Sequence, residues 1–223
     1  MRRARPALAA LLLGGCASAV APIEAETPPV SQAMAAEAPL PDAFAALVTH
    51  VEQRAALWRE GAPINSLVLD SRQTVLNPVA IGCARREPLV IVDADPAPDA
   101  RADGAADAAW RHALAKIRAA NVGILWVTER FENETAALRP ALPGAESADM
   151  IAGRKAADDR KQTIRQRWAA SHCILAIIGD TRADADEAYA FLRDPATSLP
   201  IDSNWGAGWF LLPLASAATE AGQ

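Results

Sequence analysis

Cysteine is scarce, with three residues in a chain of 223. That excludes a small scaffold built from disulfides. Positive charge is in deficit, with a formal net charge of -5. Neutralising phosphates needs clustered Lys and Arg, so the balance argues against a nucleic-acid polymer as main partner. Beyond a short apolar run at the start, no stretch is long enough for a transmembrane helix. What is present suffices for a packed core: hydrophobic residues make up 51% and charged residues 22%, which rules out general disorder. The length suits one domain, or one domain with a tail.

Arg2, Arg3 and Arg5 precede an apolar run over residues 7–13, followed by Gly14-Gly15-Cys16. A basic start, a short apolar core and small residues before a cut site describe a secretory signal. Leu13-Gly14-Gly15-Cys16 also resembles a bacterial lipobox, in which the Cys is lipidated and becomes the new N-terminus. The plainer alternative is an ordinary signal peptide cut a few residues later. The organisation expected is a signal peptide over 1–15 and a lipidated Cys16 leading a tether over 16–41. A folded domain over 42–214 and a tail over 215–223 complete it. The tether is rich in Ala, Pro, Glu and Ser and cannot bury a core. Several acyl chains anchor firmly where one does not. Ala17 after the Cys, rather than Asp, points to the outer membrane by analogy with lipoprotein sorting, on the periplasmic side of the envelope.

The folded part alternates helix and strand. Phe44, Leu47, Val48, Val51, Ala55 and Trp58 share one face of a helix over 42–61, with Asp42 as cap and Gly61 as stop. Strand-like runs follow at Leu67-Val68-Leu69 and Thr74-Val75-Leu76. Leu89-Val90-Ile91-Val92 leads into Asp93-Ala94-Asp95. Residues 122–127 form a strand ending in Thr128, and Ile174-Leu175-Ala176-Ile177-Ile178 ends in Gly179-Asp180. Further helices are expected over 106–120, 132–138, 158–170 and 187–192, with strands at 150–152 and 209–212. Strands that are apolar throughout suit a parallel sheet covered on both faces. The fold class expected is therefore α/β, a doubly wound, mostly parallel sheet with helices on both faces. Ligands of such sheets sit beyond the carboxyl ends of the strands. Parallel pairing brings Asp93, Thr128 and Asp180 to one rim.

That rim has a chemistry. Asp93 could attack phosphorus and form an aspartyl-phosphate. Asp95 could protonate the leaving oxygen and then activate water. The Thr128 hydroxyl could hold a phosphoryl oxygen. Asp180 and Asp184, with Asp93 and Asp95, offer oxygen ligands to a hard cation, magnesium above all. A single Asp at a strand end often only caps the next helix. Three strand ends carrying suitable residues in order say more. Asp70-Ser71-Arg72 looks similar but lacks the second acid.

The ordered set resembles the haloacid dehalogenase superfamily, specifically secreted acid phosphatases of class B and C type, over roughly residues 42–214. The residues that carry the resemblance are Val90-Ile91-Val92-Asp93-Ala94-Asp95, Trp126-Val127-Thr128-Glu129-Arg130 and Gly179-Asp180-Thr181-Arg182-Ala183-Asp184. The stretch from Asn204-Trp205-Gly206 to Leu212-Pro213 belongs with them. The resemblance implies a magnesium-dependent phosphomonoester hydrolase acting on a small phosphorylated substrate, with a Lys serving the site. Lys155 fits that register best and Lys161 is the fallback. The departures are Pro96-Ala97 after the first motif, Glu129 in place of Asn, Ala185 in place of an aromatic residue, and a cap reduced to about residues 96–105. They leave open a second possibility: a degenerate member that keeps the fold and binds a ligand with little turnover. Cys83 precedes the Asp93 strand and Cys173 opens the Asp180 strand. In the implied fold those strands are neighbours, with the two Cys toward their amino ends, either bonded or as two buried thiols. Arg160, Lys161, Arg165 and Arg167 look like a solvated helix face.

Overall fold

A computed structural model describes residues 40–70, 75–95 and 104–213. The signal peptide, Cys16, nearly all of the tether, the shortened cap and the C-terminal tail fall outside these residues. Helix α1 runs over Asp42–Arg59, and its Phe44, Leu47, Val48, Val51 and Ala55 are buried, as the helical spacing demands. Its cap position is Pro41 rather than Asp42, which sits inside the first turn. The chain leaves the helix through Gly61 at φ +75°, a conformation that glycine adopts without Cβ strain.

Strands β1 (Asn65–Leu69) and β2 (Ala80–Gly82) then form a small antiparallel pair. Of the strand expected at Thr74-Val75-Leu76, Thr74 lies outside the described residues and the rest is not a strand. Val75 and Leu76 lie in a turn, Leu76 is 72% exposed, and Asp70 N–H donates to Val79 O to close the pair. Asn77-Pro78 explains the turn, because proline has no N–H to give a ladder.

The main sheet has five strands, all parallel: β3 (Glu87–Asp93), β4 (Gly123–Phe131), β5 (Met150–Arg154), β6 (His172–Gly179) and β7 (Trp209–Leu211). Their order across the sheet is β5-β4-β3-β6-β7. Residues 89–92 and 173–178 are buried throughout, so both faces of the central strands are covered. Helices α1 and α2 (Gly104–Ala119) supply the core of one face, with Leu47, Val51, Trp110, Leu114 and Ile117 packed against Val90, Val92 and Trp126. Helix α3 (Lys161–Ala169) and β1 cover the other, where Ile164 and Val68 join Leu89, Ile91, Ile177 and Trp209. The fold is α/β with helices on both faces. Several expected helices are shorter or tighter. Residues Glu132–Ala141 and Glu187–Phe191 are 3₁₀, and α3 starts at Lys161 rather than near residue 158. The Asp159 carboxylate explains that late start, since it accepts from Lys155 N–H at 2.8 Å and closes a turn ahead of the helix.

Cys83, just after β2, and Cys173, in β6, form a disulfide with Cα atoms 4.8 Å apart. Both are fully buried, and Cys173 lies beside Pro88 at the amino ends of β6 and β3. The bond spans 90 residues of chain, so it restricts the unfolded state strongly. Replacing both cysteines by serine should cost roughly 3–5 kcal/mol in denaturant-unfolding stability. A loss under about 1 kcal/mol would show that the bond is not formed in solution.

Candidate active site

From β3 the chain moves one way across the sheet to β4 and β5, then returns to the other side of β3 as β6. The carboxyl ends of β3 and β6 therefore flank the point where winding reverses, which is where parallel α/β sheets open a crevice. Asp93 is the last residue of β3, and Asp180 follows the last residue of β6. Asp93, Asp180 and Asp184 each bring a carboxylate oxygen to within 4.8 Å of the others. Asp93 and Asp184 are buried and Asp180 is half-buried.

Each side chain is held by local geometry. The Asp184 Oδ2 accepts from Thr181 N–H at 2.9 Å and from Thr181 Oγ1 at 2.7 Å, which ties a tight turn and leaves Oδ1 toward the centre. Gly179 is required there, because a Cβ on it would strike the Asp184 side chain. The Asp93 Oδ1 accepts from Lys161 Nζ at 2.5 Å and from Asp95 N–H at 3.2 Å. Its Oδ2 is buried and accepts no hydrogen bond. A buried, unpartnered carboxylate oxygen is costly, and the cluster around Asp93 carries more negative than positive charge. Those features fit a cation: the three aspartates could bind a metal ion, with oxygen donors that suit a hard one.

Lys161, the fallback of the sequence reading, is the lysine at this centre. Besides Asp93 it lies 3.4 Å from Asp184 Oδ1 and 3.6 Å from Asp95 Oδ2, with its side chain 14% exposed. Lys155 is not there. It is exposed and 3.7 Å from Glu132, since β5 ends at Arg154 and the following turn carries the chain on to α3. Asp95 stands outside the metal-ligand cluster, contrary to expectation. One of its oxygens accepts from Thr128 Oγ1 at 2.7 Å and the other from Glu129 N–H at 2.6 Å. Thr128 is fully buried, and its hydroxyl is spent on Asp95 rather than offered to the crevice.

Arg165, expected on a solvated helix face, is buried instead. It sits one turn after Lys161 and is 2% exposed. Its guanidinium donates to Asp184 O at 2.7 Å and to Gln162 Oε1 at 2.6 Å, bracing the turn that carries Asp184 from below. Arg182, between the two acids of that turn, donates to Pro195 O at 2.7 Å and Asp202 Oδ1 at 2.8 Å, and its guanidinium lies 4.0 Å from the Tyr189 ring centre. The spacing of Arg165 from Lys161 on α3, four residues, was the one available signal.

Above the cluster is a cleft of about 390 Å³ lined by Asp95, Glu129, Arg160, Lys161, Thr181 and Phe191, among others. Comparison with known protein families and with curated proteins finds no match for the chain.

Burial drives the Asp93 carboxyl up to about 7, with the Asp184 charge adding to the rise and Lys161 opposing it. Burial works against the charge on Lys161, but Asp93, Asp184 and Asp95 together hold it above the ordinary lysine value. An acid with a raised folded-state pKa binds its proton more tightly in the fold. Its contribution is whole below the ordinary value of 3.8 and is lost as pH rises to about 7. In chelator, Asp93→Asn should therefore gain stability over the parent by roughly 3 kcal/mol between pH 4 and pH 7.5, read from urea unfolding. A difference that does not change with pH would show that Asp93 is not desolvated in this way.

Proposed function

We propose that the protein is a divalent-cation-dependent phosphomonoester hydrolase of haloacid dehalogenase type, with magnesium as the cation. The observation that carries the proposal is the convergence of carboxylate oxygens from Asp93, Asp180 and Asp184, with Lys161 2.5 Å from one Asp93 oxygen and the other Asp93 oxygen buried without a partner. Carboxylates alone would repel a phosphate. A magnesium ion on Asp93, Asp180 and Asp184 would offset that repulsion and stabilise charge on the phosphoryl oxygens.

In the proposed reaction an Asp93 oxygen attacks phosphorus and the bond to the ester oxygen breaks. The departing oxygen takes a proton from Asp95. Water then attacks the aspartyl-phosphate, giving its proton to Asp95, and inorganic phosphate leaves with Asp93 restored. Lys161 orients Asp93 and damps charge on the phosphate. Thr128 and the Glu129 N–H fix the Asp95 carboxylate for both proton transfers. Arg165 and Arg182 hold the turn that carries Asp180 and Asp184. We further propose that the enzyme works on the periplasmic side of the bacterial envelope, lipid-anchored at Cys16. Among the described residues no helix is long and apolar enough to cross a membrane.

The purified protein should hydrolyse a generic aryl phosphate in magnesium and stop when magnesium is chelated. Asp93→Asn should lower kcat about a thousandfold or more, as removal of a nucleophile does. Magnesium binding without turnover of any phosphomonoester would instead favour a binding protein on the same fold.

A further inference from the structure

Among the described residues lining the cleft over the aspartates, one charge takes part neither in the proposed chemistry nor in an ion pair. It is Glu129, and its side chain is exposed. Its backbone N–H is fixed to the Asp95 carboxylate at 2.6 Å, so it stands next to the group proposed to meet the leaving oxygen. Three cations line the same cleft, and each is engaged elsewhere. Arg160 is 3.0 Å from Glu187, Lys161 lies within reach of three aspartates, and Arg165 is buried against backbone carbonyls and Gln162. Arg130 follows Glu129 on the same strand and is exposed, and no ion pair joins the two. Among the described residues, no basic group pairs with the Glu129 carboxylate.

A carboxylate at the mouth of a phosphate site, without a basic partner among the described residues, has two consequences. It repels a second anionic group on the substrate, and it attracts a positive one. A phosphate reaching Asp93 places its leaving group beside Asp95 and hence near Glu129. Phe191, 74% exposed in the same cleft, offers an aromatic face, which also favours a cation over an anion.

We propose that Glu129 makes this cleft selective for phosphomonoesters whose leaving group carries an ammonium, and against polyanionic phosphates. The proposal rests on the phosphomonoester reading above. At a contact distance near 4 Å in water-like surroundings, a charge pair contributes about 1 kcal/mol, close to a fivefold preference. Such a preference is modest, falls with salt, and comes from one residue.

The test compares O-phosphoethanolamine with propyl phosphate, which has the same length and a methyl group in place of the ammonium. Binding of each is measured by calorimetry in magnesium to full-length protein carrying Asp93→Asn, which prevents turnover. The same pair is compared by kcat/KM on the enzyme with Asp93 intact. The ammonium ester should be preferred about fivefold at low ionic strength, and the preference should vanish with Glu129→Gln and in high salt. Equal binding of the two esters, or a preference that survives Glu129→Gln, overturns the inference while leaving the hydrolase reading in place. Failure of both esters and of inorganic phosphate to bind, with no turnover, counts against the hydrolase reading itself, and the inference falls with it.

Discussion

Asp93, Asp95, Asp180 and Asp184 crowd the carboxyl end of one sheet, and a single lysine reaches three of them. Such crowding has few physical solutions. Protons can stay on, which raises the Asp93 pKa toward neutrality, or cations can come in. Lys161 supplies one charge from the first residue of α3, whose amino end also favours negative neighbours. One oxygen of Asp93 still lacks a partner, and that deficit is what a divalent ion would fill. The parallel sheet makes the crowding unavoidable. Apolar strands align their ends, and the reversal of winding between β3 and β6 opens the crevice where those ends carry acid.

Much of the surrounding structure keeps this unfavourable arrangement in place. Gly179 lets the Asp184 side chain fold against the backbone. Arg165 lies buried beneath the same turn, an expense that only carbonyl and side-chain partners make tolerable. Arg182 and Asp202 fasten the turn to the 3₁₀ segments that follow it. The disulfide sits at the opposite ends of β3 and β6 and braces them without touching the charged centre.

The apolar runs of β3, β4 and β6 were legible because a strand covered on both faces leaves no polar position to confuse the pattern. The acids at their ends were legible for the same reason. The lysine was not. Its place depends on where α3 begins, and that is decided by Asp159 closing a turn over residues 155–159, a contact between side chain and backbone that periodicity does not register. Arg165 was not legible because an Arg-rich helix usually faces water, whereas the carbonyls of Ala183 and Asp184 and the Gln162 side chain accept from its buried guanidinium. Thr128 was placed correctly at the rim, yet its hydroxyl turns to Asp95, a choice set by one 2.7 Å bond. The short β2 was missed because three residues carry almost no pattern, and Asn77-Pro78 disfavours the strand expected before it.

The nucleophilic role proposed for Asp93, made workable by a cation, would be checked by trapping the covalent intermediate. The protein would be mixed with a phosphomonoester in magnesium, quenched in acid within milliseconds, and digested for peptide mass spectrometry. A phosphate is expected on Asp93, stable in acid, removed by hydroxylamine, and absent when magnesium is chelated. Turnover with no phosphate on Asp93, or with phosphate on another residue, would contradict that role.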